Sequence, residues 1–149
     1  MKHLSGIQGP ADLKALGREE LPGVAQECRD VIIETITKSG GHLASNLGIV
    51  ELTLALHRAF ESPKDRIVWD TSNQCYTHKL VTGRAARFAT IRTPGGLSGF
   101  AEPSESDHDT LAAGHAGTGL SYALGMSVAL QNEPSDPFVV AVVGDGALT

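Results

Sequence analysis

An α/β fold, helix-rich with few parallel strands, is what this sequence predicts, and three observations predict it. Apolar residues recur with helical period through the first sixty positions. The run Phe138-Val139-Val140-Ala141-Val142-Val143 is apolar on both faces, as a buried parallel strand is. A second strand candidate, Arg66 to Trp69, lies well upstream, with helical patterns before it and between the two.

The elements follow in order. Pro10 to Leu16 reads as a short helix, because proline suits a first helical turn. Leu21 to Lys38 reads as a long one, with Val24, Cys28, Val31, Ile32 and Ile36 on one face. Ser39-Gly40-Gly41 stops it. Gly48 to Phe60 is a further helix, apolar nearly all round and so expected to be deeply buried. Thr77 to Arg84 and Ala85 to Ile91 suggest short helical turns. Arg92 to Thr110, rich in Gly, Pro, Ser and acids, reads as a long loop, and loops of that length are more often functional or mobile than idle. Thr118 to Gln131 is a helix, and Asn132 to Pro137 turns into the last strand. Two parallel strands hardly make a self-sufficient sheet.

Composition limits the function classes. The 149 residues fit one domain with a sizeable core, and 41% apolar with 19% charged residues is ordinary for a globular protein. A net charge of −5 without a basic stripe argues against nucleic acid as partner. The N-terminal MKHLSGIQGP lacks the apolar core of a secretory signal, and no apolar stretch suits a bilayer. The expected location is cytoplasmic. Cys28 and Cys75 form no CxxC pair and read as reduced packing thiols.

Four polar clusters carry chemistry. In Gly144-Asp145-Gly146, after the last strand, the glycines allow close approach of a ligand. Successive N–H groups there can face an anion, and Asp145 can ligate a hard cation such as Mg²⁺. One carboxylate is not a metal site, and an ordinary βα turn has the same composition. In Gly41-His42-Leu43-Ala44-Ser45-Asn46, His42 at a helix junction can move protons near neutrality, or serve capping and packing. The stretch Trp69 to Lys79 gathers donors and a cation at the end of a strand, where α/β proteins place ligands, yet reads more readily as a solvated polar loop. Gly114-His115-Ala116-Gly117-Thr118-Gly119 precedes a helix and offers an anion cradle, or only a glycine-rich turn. His57, within an apolar helix, and His3, near a loose terminus, read as structural.

SGGHLASNLGIVELTLALH, RIVWD, HKLVTGR, the GGLSGF-to-SESDHD stretch, AAGHAGTGLSYALGMSVA and VVGDGALT occur in an order that resembles the N-terminal part of the 1-deoxy-D-xylulose-5-phosphate synthase family. The resemblance runs from about Ile7 to Thr149. It implies a transketolase-like enzyme dependent on thiamine diphosphate and Mg²⁺. Such an enzyme joins pyruvate to D-glyceraldehyde 3-phosphate with loss of CO₂, in isoprenoid and thiamine biosynthesis, and works as a homodimer. The cofactor supplies the carbon nucleophile and the protein supplies positioning and electrostatics. The fold it implies for residues 1–149 is an incomplete, diphosphate-binding thiamine-diphosphate domain. The rest of that domain, the pyrimidine-binding domain with its activating glutamate, and the C-terminal domain are then expected outside this chain.

The resemblance gives His42 a catalytic place near the thiazolium. It makes Gly114, His115 and Ala116 cofactor contacts, Asp145 the Mg²⁺ ligand, and Gly146 and Ala147 backbone contacts to the diphosphate. His78 and Lys79 fall on a family-like stretch without an assigned role. Three departures stand out. Asn73 takes the position of a cofactor-contacting histidine, and can hydrogen-bond there but not titrate near neutrality. Ser72 replaces a glycine. Gly117 and Gly119 stand where the family has serines. By itself the chain is expected to catalyse nothing measurable. The alternative is a non-catalytic remnant or interaction module that no longer binds the cofactor.

Overall fold

The computed structural model describes residues 2–148. Its elements are α1 (Pro10–Ala15), α2 (Leu21–Ser39), α3 (Ala44–Leu47), α4 (Val50–Ala59), β1 (Arg66–Trp69), α5 (Tyr76–Lys79), α6 (Gly119–Leu130) and β2 (Val139–Val142). A π turn (Leu80–Arg84) and a 3-10 helix (Ala85–Thr90) follow α5, and a 3-10 turn (Asp145–Ala147) follows β2. The chain forms two compact units, residues 2–59 with 74–99 and residues 60–73 with 100–148.

The first unit is helical. Pro10 opens α1, and the Asp12 carboxylate accepts from the N–H groups of Gln8 and Gly9 at 2.8 and 3.1 Å, closing donors that a helix start leaves open. At the other end, Arg58 Nη1 donates to the carbonyls of Leu13 and Leu16 at 2.8 and 2.9 Å. The long helix α2 buries Val24, Ala25, Cys28, Ile32, Thr35 and Ile36, close to the face its periodicity predicts, and ends at Gly40. Burial pushes the Cys28 thiol up to about 12, so it is inert packing, and neither cysteine is in a disulfide.

Two expectations are corrected here. Helix α4 is not buried all round: Val50, Thr53, Leu54 and His57 face inward, while Leu52 is 51% exposed. Nor is His3 on a loose terminus. The Glu27 carboxylate of α2 accepts from the backbone N–H groups of Lys2, His3 and Leu4 at 2.7 to 3.1 Å and ties the N-terminal strand of chain to the helix. The assignment of His57 to structure agrees with its place: it is fully buried, and its Nε2 stands 2.8 Å from Nδ1 of the equally buried His78.

The second unit is built on two strands. β1 and β2 pair in parallel with Arg66 opposite Val139 and Trp69 opposite Val142, the positions the sequence predicts. β1 is buried along Ile67, Val68 and Trp69. β2 departs from the expected double-sided burial, since only Val142 of its four residues is buried. The ladder is closed at its start by Asp65. One of its oxygens accepts from Phe138 N at 2.9 Å and the other from Glu61 N at 2.6 Å. The expected loop, Arg92 to Thr110, carries no helix or strand, yet its later part is fastened: Thr110 Oγ1 donates to Ile67 O at 3.0 Å, and the buried Asp109 accepts from Glu102 N at 2.7 Å. Helix α6 buries Gly119 and Ala123 and leaves Leu120, Tyr122, Leu124 and Val128 exposed.

The Glu27 tether depends on pH. Burial pushes its carboxyl up, but the N–H groups of Leu4, Lys2 and His3 outweigh that and hold it below the usual carboxylate range. A depressed folded pKa means the tether's contribution is present above the ordinary carboxylate pKa of about 4.3 and lost as pH falls through the lower folded value. Amide exchange at His3 and Leu4 is therefore expected to accelerate below pH ~4 relative to α2. Equal protection of these amides in acid and at neutrality would overturn it.

Candidate functional site

In the second unit the polar turns gather at the carboxyl ends of the parallel strands, where α/β folds place their ligands. Asp70, the first residue after β1, continues the ladder: its N–H donates to Val142 O at 2.9 Å. Its carboxylate, 2% exposed, takes two more donors. Oδ2 accepts from Gly117 N at 3.0 Å and Oδ1 from Gly119 N at 2.7 Å. The anion cradle expected at Gly114–Gly119 therefore exists, but its anion is a side chain of the same chain.

Glycine is required at both donor positions, for different reasons. Gly117 has φ +80°, a conformation that L side chains rarely adopt. Gly119 is set by close approach, since a Cβ there would stand 2.8 Å from Asp70 Cβ. These glycines stand where the resemblance has serines, and the Asp70 carboxylate accepts from the amides of both.

The solvated reading of Asp70 to Lys79 is wrong. Asp70, Ser72, Gln74 and every residue from Cys75 to Lys79 are buried. Ser72 shows how a departure from glycine is absorbed. It holds φ +61°, the conformation a glycine would take without cost. Its hydroxyl accepts from Ala101 N at 3.0 Å and donates to Ala113 O at 3.1 Å, fastening the stretch that leads to Gly114.

The predicted site residues can now be placed. Gly114, His115 and Ala116 form an exposed segment just before α6. Thr118 Oγ1 donates to His115 O at 2.8 Å and fixes its exit. The Asp145–Ala147 turn lies beside it, for a methyl group at Gly117 would stand 3.4 Å from Ala147 O. Asp145 and Gly146 are exposed and Ala147 is half-buried. Side chains added at Gly114, Gly144 or Gly146 would meet nothing within 4 Å, so the backbone there is open to a ligand. Asn73 is half-buried at the end of the turn after β1. The structure thus brings Gly117, at the end of the 114–117 segment, beside Ala147, and Asp70 accepts from the amides of Gly117 and Gly119. Among the described residues, no three His, Cys, Asp or Glu side chains are grouped to hold a metal. Asp145 is a single candidate ligand, and a divalent ion would need further oxygens from a bound diphosphate and from elsewhere.

His42 belongs to the first unit, where it is exposed at the junction that precedes α3. Its backbone is clamped from two sides. Asn46 Nδ2 donates to His42 O, and Asn46 Oδ1 accepts from Tyr76 N at 2.9 Å. The His42 N–H donates to the Tyr76 hydroxyl at 3.5 Å. Burial pushes the Tyr76 phenol up, while the His42 amide and Arg92 pull the other way, so it stays a neutral hydroxyl near neutrality. Asn46 and Tyr76, both fully buried, are site-supporting residues that the sequence reading missed. The only sequence signal was an Asn within the His42 motif.

The fold and its polar edge define a parallel α/β unit with a ligand-facing glycine turn. Residues 4–149 match the family model described as 1-deoxy-D-xylulose-5-phosphate synthase, in its N-terminal part. The chain belongs to that family. It is 56% identical over 146 residues to the 1-deoxy-D-xylulose-5-phosphate synthase of Dictyoglomus turgidum, covering 98% of this chain and 24% of that protein. It is 53% identical over 148 residues to the synthase of Dehalococcoides mccartyi, covering 99% and 23%. To 1-deoxy-D-xylulose-5-phosphate synthase 1 of Geobacter sulfurreducens it is 52% identical over 146 residues, covering 98% and 23%. The chain spans about a quarter of the length of these curated relatives. Among the described residues no helix is long and apolar enough to cross a membrane.

Two substitutions test this geometry. Asn46→Ala removes the bonds to His42 O and from Tyr76 N and leaves buried partners unmet, so it is expected to cost about 1–3 kcal/mol in urea unfolding. A loss under about 0.5 kcal/mol, the scale of an ordinary surface change, would count against the clamp. Ser72→Ala keeps the positive φ and loses both hydroxyl bonds, whereas Ser72→Gly loses the bonds but relieves the backbone. The alanine variant is expected to be the less stable by about 1 kcal/mol. The reverse order would refute the account of Ser72.

Proposed function

We propose that this chain is the part of a 1-deoxy-D-xylulose-5-phosphate synthase that holds the diphosphate end of thiamine diphosphate. The whole enzyme then condenses pyruvate with D-glyceraldehyde 3-phosphate and releases CO₂. The observation that carries this reading is the open Gly144–Ala147 turn at the carboxyl end of β2, beside residues 114–117, in a chain that matches the family across residues 4–149. The unit is then a transketolase-like diphosphate-binding domain.

Gly146 and Ala147 would offer backbone contacts to the diphosphate, and Asp145 one oxygen to Mg²⁺. Gly114, His115, Ala116 and Asn73 would contact the cofactor. Thiamine diphosphate supplies the carbon nucleophile when bound. His42, held by its main chain and exposed at the junction before α3, would take part in proton transfer. Further ligands and the remaining domains would come from the rest of the enzyme, which we infer to be cytoplasmic and homodimeric. A non-catalytic remnant is not favoured. Of the departures that suggested it, Gly117 and Gly119 each donate an amide to the Asp70 carboxylate, and Asn73 keeps a side chain that can hydrogen-bond.

Calorimetric titration with thiamine diphosphate and Mg²⁺ tests the proposal. Saturable, metal-dependent binding that is lost in Asp145→Ala is expected. Absence of binding to the folded chain, under conditions where the Dictyoglomus turgidum relative binds, would overturn it.

A further inference from the structure

We infer that Asp70 is a positioning residue that fixes the 114–116 segment for the cofactor, an inference that rests on the proposed cofactor reading. Asp70 is itself immobilised, because its N–H extends the parallel ladder to Val142 O at 2.9 Å. Its two carboxylate oxygens are divided between two amides. Oδ2 takes Gly117 N at 3.0 Å and Oδ1 takes Gly119 N at 2.7 Å. Thr118, between those glycines, donates from Oγ1 to His115 O at 2.8 Å. A continuous polar connection therefore runs from the end of β1 to the carbonyl of His115. The seat has the shape of the carboxylate: a Cβ at Gly119 would stand 2.8 Å from Asp70 Cβ, and Gly117 at φ +80° turns its N–H toward Oδ2.

A second consequence concerns the ligand. The turn into α6 offers an anion the amides of Gly117 and of Gly119, the first residue of the helix, and here a buried carboxylate takes both. A second anion placed there would meet like charge at close range. A diphosphate is therefore directed away from the start of α6 and onto the Gly144–Ala147 turn. The 114–116 segment, whose Gly114 and Ala116 are exposed, contacts the cofactor elsewhere. Asp70 thus sets both the shape of the segment and which of two neighbouring glycine turns receives the phosphates.

The test compares the wild-type chain with Asp70→Asn, Asp70→Ala and Gly119→Ala. Thiamine diphosphate with Mg²⁺ is titrated at a temperature where each is folded, and the Gly117 and Gly119 amides are followed by NMR. A neutral carboxamide offers one acceptor oxygen in place of two, so Asp70→Asn is expected to shift both glycine amides and weaken binding about tenfold or more, with Asp70→Ala worse. Gly119→Ala keeps the carboxylate but displaces it, and is expected to weaken binding likewise, which keeps the test open if the Asp70 variants do not fold. A folded variant with displaced glycine amides and wild-type affinity would overturn the inference while the cofactor reading stands. A wild-type chain that binds no thiamine diphosphate, with glycine amides that still respond to Asp70→Asn, overturns the cofactor reading and this inference with it.

Discussion

A carboxylate taken out of water has to be met by donors, and the donors chosen at Asp70 determine much of the second unit. Parallel pairing supplies few hydrogen bonds in a four-residue ladder, and two such strands form a weak sheet. Here the pair is bracketed by acids. Asp65 closes the entry by taking Phe138 N and Glu61 N, and Asp70 closes the exit by taking Gly117 N and Gly119 N. Charge-assisted bonds to backbone N–H are stronger than neutral ones, and these are buried, where losing them costs most. The strand register, the start of α6 and the conformation of residues 114–118 are therefore one connected arrangement.

The same logic operates in the first unit with a neutral group. Asn46 presents an acceptor to Tyr76 N and a donor to His42 O, as a peptide group would. A side-chain amide thus replaces regular secondary structure at the junction before α3. The main chain of His42 is held, and its imidazole is left at the surface.

What was legible in the sequence had local causes. β1 at Arg66–Trp69, the parallel run of β2 and the stop of α2 at Gly40 follow from period, branching and glycine within a few residues. What was not legible had distant ones. Asp70 meets its donors 47 and 49 residues away, and Glu27 takes amides more than 20 residues upstream. A polar string such as Asp70 to Lys79 looks solvated when its partners lie that far off. α4 and β2 failed in the opposite sense. An apolar side chain states what it would gain by burial, not whether a neighbour is there to cover it, and Leu52 and most of β2 stay partly exposed. Residues 114–116 and 145–147 became candidates through family resemblance, whereas the places of Asp70, Asn46 and Tyr76, whose bonds run to distant partners, could not be read from the sequence.

The departures from the family pattern are linked rather than independent. Ser72 occupies a left-handed position where glycine would cost nothing, and its hydroxyl bonds to Ala101 N and Ala113 O offset that strain. Those bonds fix the stretch running into Gly114. Gly119 gives up a side chain, and the carboxylate of Asp70 moves into the space. A Cβ at position 119 would stand 2.8 Å from Asp70 Cβ, so a side chain there requires a local shift of one or the other. The turn after β1 and the turn before α6 are constrained as a pair, and substitutions on one are readable only in the presence of the other.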